Sequence, residues 1–398
     1  MPENFPGVYV EELSGPARTI SGVATSITAF IGRASMGPVN QPVVISSYSD
    51  FERTFGGLWL ESSLGYAVRD FYLNGGDQAI IVRLVRPAED GSATDGGCLE
   101  LDDFIGAGKE DAGLGLYSLD RVDLFNLLCI PPYLENRNVD AGLLTAATLY
   151  CQKRRAMLII DPPSDWSDAQ KAVTGLATDI GINSSNAALY FPRLRQQNPL
   201  RDDQLEDFAP CGAVAGVIAR IDATRGVWKA PAGQEANLAG GTAPSLSITS
   251  QENDKLNRLG INCLRQFPTK GLLVWGARTR KGEDGLGSEW KYIPVRRTAL
   301  FLEESLNRGL KWVLFEPNDE PLWAQIRLSV GAFMHDLFRR GAFQGMTPRE
   351  AYFVKCDQET TTQNDIDSGF VNILAGFAPL KPAEFVIIRL QQMARKPE

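Results

Sequence analysis

The sequence predicts two folded units, an α/β layer followed by an α+β unit, with a strand-like arm at each end of the chain. Three observations predict this. In the first half, short continuous apolar runs alternate with helical patterns, as they do when parallel strands are covered on both faces. In the second half, amphipathic helices stand between isolated strand patterns without that regular alternation. At the two ends, Gly7–Leu13 and Phe385–Leu390 are strand patterns placed where chain termini are usually frayed.

The elements follow in order. GVYVEEL at 7–13 is preceded by Pro6 and followed by Gly15 and Pro16, which set it off as an arm. SITAFIGRA and PVVISSY read as strands, and helical spacing follows at Phe51–Phe55 and Ser63–Leu73, the second closed by Asn74, Gly75 and Gly76. QAIIVRLV is a buried strand. The polar, glycine-rich stretch Glu89–Gly115 reads as a surface excursion. LFNLLCIP, AMLIIDPP and NAALYFP are strands, separated by a helix ending at 152–155 and another from Trp166 to about Asp179. Arg225–Pro244 has Pro, Gly and Ala in place of periodicity and is the expected domain junction. Beyond it, GLLVWGARTR and WKYIPV read as strands, and RRTALFLEESLNRG as a helix with Leu300, Leu302 and Leu306 inward, a Glu304–Arg308 pair and Gly309 as its stop. KWVLFEP reads as a strand leading to a helix that Asp319 caps and Pro321 opens. Thr347–Glu350 matches a capping box, and AYFVKC, FVNILAGF and the terminal strand complete the unit. The expected divisions are 1–24 for the first arm, 25–240, 241–380, and 381–398 for the last arm.

Composition narrows the function. The chain has 398 residues, 44% hydrophobic and 22% charged, with a net charge of −8. Those values describe an ordinary globular protein, and the negative balance argues against a nucleic-acid partner, which requires a basic surface. No basic-then-apolar leader opens the chain, so folding in a cytoplasm is expected, and no run approaches the roughly 18 apolar residues of a membrane span. From Arg265 to Arg297 there are eight Lys/Arg against three Asp/Glu, either a solvated face or a docking surface for an acidic protein. Six cysteines without C-x-x-C spacing are expected to be buried free thiols.

Catalytic chemistry is poorly represented. His335 is the single histidine, set in a helical pattern on a polar or interface-facing side, which removes most metal and acid–base constellations. IGAGKED at 105–111 lacks the first glycine of a phosphate loop and carries Glu110 where a magnesium-binding hydroxyl belongs. DGSATDGG has too few alternating oxygen ligands for calcium, and there is no G-x-S-x-G elbow. No catalytic residue, metal ligand or cofactor is assigned. The terminal strands are the stronger signal. Either the last strand joins its own subunit's sheet, or both arms enter sheets of neighbouring copies. In the second case the contact is heterologous, and one that does not close builds a helical filament. A cytoplasmic α/β enzyme and another assembling structural protein, such as a capsid-like protein, are the competing readings.

Several long stretches resemble the contractile tail sheath proteins of phages and phage-tail-like injection particles. They are PGVYVEEL, FIGRASMGPVNQPVVISSYSDFERTFGG, YAVRDFYLNGG, AGVIARIDATRGVWKAPAG, LGINCLRQFPTKGLLVWGARTR, WKYIPVRRTALFLEESLNRGLKWVLFEPNDEPLW and GFAPLKPAEFVIIRLQQ, in that order, with a weaker match over about 89–207. The resemblance implies an outer α/β domain, an inner α+β domain and strand-exchange arms. It implies Val8, Tyr9 and Val10 in one donated strand and Phe385, Val386, Ile387, Ile388 and Arg389 in the other. Implied partners are other copies in hexameric rings, an inner tube protein, and baseplate and tail-terminator proteins, with no nucleic acid and no membrane insertion. Arg327, Arg339 and Arg340 are the residues expected to meet the tube. Assembly in a bacterial cytoplasm, and release within a phage tail or an injection particle, complete the expectation.

Overall fold

The computed structural model describes residues 18–86, 97–134, 136, 138–241 and 243–384. By compactness the chain divides into a smaller unit, Met1–Gly22 with Glu304–Ala378, and a larger one, Val23–Glu303 with Pro379–Glu398. Arg225–Pro244, where the sequence places a junction, lies inside the larger unit. It lacks periodicity because it runs along the sheet as an irregular strap. Leu238 N–H donates to the Leu272 carbonyl and Val274 N–H to the Ala236 carbonyl, with Ala236 and Leu238 buried.

The larger unit contains, in order, β1 (Thr28–Gly32), β2 (Val43–Ile45), α1 (Tyr48–Phe55), α2 (Leu64–Leu73), β3 (Ala79–Arg83), α3 (Leu101–Ile105), α4 (Lys109–Ala112), β4 (Leu127–Cys129), α5 (Ala141–Lys153) and β5 (Met157–Ile160). It continues with α6 (Ala169–Gly175), β6 (Ala187–Phe191), β7 (Leu194–Asn198), β8 (Gln204–Phe208), α7 (Cys211–Arg225), β9 (Ala243–Pro244), α8 (Ser250–Arg258), β10 (Ile261–Phe267), β11 (Gly271–Val274) and most of α9 (Ile293–Gly309). Its main sheet runs β11-β10-β6-β5-β4-β1-β3-β2, parallel from β10 to β3, with β2 and β11 antiparallel at the edges. Helices cover both faces, which is why β1, β3, β4, β5 and β6 are buried at every residue and read as continuous apolar runs. Phe30, Ile81, Met157 and Tyr190 pack toward Phe71 of α2 and Val214 of α7, while Ile31, Val82, Leu158 and Leu189 pack with Phe104, Leu143 and Leu256. Helices α2 and α7 touch through backbone. A Cβ on Gly212 would fall 1.9 Å from the Ala67 carbonyl oxygen, so no larger residue fits without separating the two.

The smaller unit holds α10 (Glu320–Arg339), α11 (Pro348–Ala351), β12 (Tyr352–Lys355), α12 (Gln363–Asp367) and β13 (Leu374–Phe377). Helix α10 opens as the sequence predicts, with Asp319 accepting from Leu322 N–H at 3.2 Å and Pro321 in the first turn.

Four expectations require correction. The described part of the 89–115 excursion carries α3 and α4, and Leu99 and Phe104 are core residues, so its polarity marks the outer side of a packed segment. WKYIPV is not a strand, since Ile293 and Val295 form the buried side of the first turn of α9. KWVLFEP is a 3₁₀ turn at Lys311–Val313 followed by Phe315 at φ 69°, fully exposed, so its apolar run has no sheet to join. The basic strip is not one continuous surface, because Arg278, Arg280 and Arg297 are buried and hydrogen-bonded within the unit, while Lys270 and Lys281 are exposed. The six cysteines are free thiols, five of them buried, as composition suggests, with Cys98 exposed.

Candidate functional site

Strands β12 and β13 make a separate two-stranded antiparallel sheet, Tyr352 opposite Phe377 and Lys355 opposite Leu374. Its position follows from local sequence. The Thr347–Glu350 capping box starts α11, whose single turn delivers the chain to β12. One sheet face rests on aromatic side chains, with the Phe343 ring 6.2 Å from Tyr352 and 5.5 Å from Phe377. His335 on α10 stands with Nδ1 3.3 Å from the Tyr352 hydroxyl, on an exposed polar side of the helix. Burial raises the pKa of that hydroxyl. The opposite face presents Phe353 and Leu374, each 53% exposed. The Phe353 ring covers Gly376 so closely that a Cβ there would lie 2.2 Å from it. Among the described residues each strand pairs only with the other, so each keeps an outer edge of backbone donors and acceptors. Two strands alone are marginal in water, and such edges invite addition.

The residues flanking the two arms are tied down. In the smaller unit the Arg18 guanidinium lies 4.5 Å from the centre of the Trp312 ring and 3.8 Å from Glu316, and Ile20 is buried against Gly309. In the larger unit Glu384 is gripped by Arg278, with contacts of 2.6 and 2.8 Å. Sequence reasoning missed this pair, and the signal that could have found it is the acidic residue of PAE standing directly before the last strand.

The expected arm residues Val8, Tyr9, Val10, Phe385, Val386, Ile387, Ile388 and Arg389 lie outside the described residues. The three arginines expected at the tube are all on or beside α10 but differ in state. Arg327 is paired with Glu320 and hydrogen-bonded to the Cys356 carbonyl, whereas Arg339 and Arg340 are exposed at the helix C-terminus, Arg340 3.9 Å from Asp336. Among the described residues no cluster of His, Cys, Asp and Glu could hold a metal, and no helix is long and apolar enough to cross a membrane. Open α/β sheets bind ligands beyond the C-terminal ends of their strands, where the strand order reverses, here between β1 and β4. That point is lined by Gly32, Leu64, Pro131, Pro132 and Tyr133, with Arg33 lying 4.6 Å over Trp59, and carries no glycine-rich phosphate loop.

Comparison with known proteins gives a consistent result. The phage tail sheath protein central domain matches residues 106–280 and the phage tail sheath C-terminal domain matches 287–393. A chain from Pseudomonas aeruginosa named as a prophage major tail sheath protein is 25% identical over 397 residues, covering 96% of this chain and 94% of that one. Among solved structures, a chain of the contracted sheath complex of the extracellular contractile injection system PVC is 27% identical with a TM-score of 0.76, covering 98% of each chain. A chain of the contracted helical sheath of the anti-feeding prophage is 29% identical with a TM-score of 0.75, covering 98% of this chain and 100% of that one.

Proposed function

Because this chain belongs to the contractile tail sheath family, as a structural subunit of a phage-tail-like contractile particle, we propose that it polymerises by exchanging strands between subunits. The observation that carries the reading is the β12–β13 sheet, whose two outer edges are unpaired among the described residues, in a chain whose sequence has two strand-like ends. Val8–Val10 of one neighbour and Phe385–Arg389 of another fill those edges. Each backbone hydrogen bond contributes only about 1 kcal/mol net. Repetition along and around the polymer makes the lattice hold, since every subunit is tethered at several points.

The subunits stack as hexameric rings around an inner tube, with baseplate and terminator proteins at the two ends. Contraction repacks folded domains as rigid bodies while the arms stay paired and act as hinges, so the stroke draws on a metastable extended packing and needs no nucleotide. Arg339 and Arg340, exposed at the end of α10, meet the tube through salt-sensitive contacts, and Arg327 supports the helix from within. Assembly takes place in the bacterial cytoplasm before the particle acts on a target envelope.

Negative-stain electron microscopy of the full chain beside a chain ending at Glu384 tests the exchange. The full chain is expected to form hollow ribbed cylinders and the shortened one small particles. Equal polymerisation of both would overturn the reading.

A further inference from the structure

The seat that holds Glu384 is fixed by contacts that do not involve the glutamate. Asn262 holds the Arg278 backbone on both sides, accepting from its N–H at 2.7 Å and donating to its carbonyl at 2.8 Å. The guanidinium is fully buried, and Nη1 donates to the Gly282 carbonyl at 3.1 Å and to Asp284 Oδ1 at 2.9 Å. That leaves Nε and Nη2 pointing together as a fork, and the Glu384 carboxylate accepts from both, at 2.8 and 2.6 Å. Tyr292 donates its hydroxyl to the same carboxylate at 3.2 Å, Asn257 of α8 donates at 3.4 Å, and Lys291 Nζ stands 3.9 Å away. Two cations, Arg278 and Lys291, thus face two anions, Asp284 and Glu384. Without Glu384 the buried guanidinium keeps only Asp284, which it shares with Lys291, and its Nε and Nη2 lose their acceptor, which is unfavourable in an interior.

This geometry accounts for Arg278 and Lys291 of the basic strip. Their shared acidic partner, Glu384, belongs to the chain's own C-terminal segment and is delivered from about a hundred residues away. The carboxylate belongs to the residue directly before Phe385, so the fork fixes the point from which the last strand departs. The preceding residues, Pro379 to Ala383, include two prolines that restrict the approach.

We infer that Arg278 and Glu384 are arm-positioning residues: they latch the root of the C-terminal arm to its own subunit, so that the strand offered to a neighbour starts from a fixed place. The inference rests on the strand-exchange reading. A latched root shortens the free tether and raises the effective concentration of the strand at the sheet it must enter. Burial works to raise the Glu384 carboxyl, but the hydrogen bond and charge of Arg278 outweigh it and hold the group below its ordinary range. The latch is therefore complete at neutral pH and released only as acid titrates the carboxylate in the folded chain.

Three forms of the full-length protein separate the possibilities: Glu384→Gln, an insertion of ten Gly/Ser residues between Glu384 and Phe385, and a chain ending at Glu384. The readouts are the critical concentration for polymerisation, by sedimentation, and the rate of tryptic cleavage at Arg389 in unassembled subunits. Glu384→Gln is expected to raise both by about tenfold or more at neutral pH, where trypsin is active. The insertion leaves the seat and the fold untouched, so its melting temperature stays that of the wild type while its critical concentration rises about tenfold. Wild-type polymerisation by either Glu384→Gln or the insertion overturns the latch. Wild-type polymerisation by the shortened chain instead overturns strand exchange, and the latch with it.

Discussion

Arg297 and Asp222 meet through two hydrogen bonds of 2.6 and 2.8 Å with both side chains 3% exposed, and Arg297 also donates to the Thr25 carbonyl. Removing one partner leaves an unmatched buried charge, so Asp222→Ala is expected to destabilise by about 3–5 kcal/mol, read from the urea midpoint at unchanged slope. A different buried carboxylate sets a pH dependence. Asp161 accepts from Cys211 N–H at 2.7 Å, and burial pushes its carboxyl up to about 6. The folded chain then binds this proton more tightly than the unfolded chain, whose value lies near about 4. The group's contribution to stability therefore falls as pH rises through that window. Asp161→Asn keeps the acceptor and loses the charge, so its advantage over the wild type should widen between about pH 4 and pH 7 in paired urea titrations. Phe315 poses the opposite problem, an exposed bulky residue at positive φ with no burial to offset the strain. Phe315→Gly is expected to raise the melting temperature, by relief of about 1 kcal/mol or more.

At the scale of elements, α10 separates a local from a tertiary contribution. Asp319→Ala removes its cap and is expected to cost about 1 kcal/mol, while Ile326→Ala, at a fully buried position of the same helix, should cost about 2–5 kcal/mol. Urea titrations of the two variants check the ordering. The same contrast explains which elements the sequence revealed. The parallel strands from β1 to β6 were legible because two covered faces demand apolar side chains throughout, and α10 because its cap and periodicity agree. β7 and β8 were not, since Gln196 and Asn198 point inward and are satisfied by Asp70 and Tyr66, a pairing invisible to hydrophobic patterning. The apolar runs of WKYIPV and KWVLFEP misled for the reverse reason, being helix-turn and surface residues respectively. The arms could be seen as candidate strands, but the open sheet and the Arg278 seat depend on partners brought together only by folding.

For the molecule as a whole, each unit holds the described residues beside one proposed arm, Arg18 and Ile20 in the smaller and Glu384 in the larger. Under the proposed function, assembly and tube attachment are separable. A chain carrying Arg339→Glu and Arg340→Glu should polymerise normally yet bind the tube about tenfold more weakly at low salt and with a shallower salt dependence, measured by co-sedimentation. One further property bears on how long such a particle lasts. Five of the six thiols are buried, and burial pushes Cys263 up to about 12 and Cys356 up to about 11, while Cys98 alone is exposed. Thiolate is the form that oxidises, so a particle standing in aerated fluid would age by ordinary thiol chemistry at a single address per subunit. Its shelf life, and any unwanted bonding between neighbours during storage, would be governed by that address, which is equally the place to attach a dye.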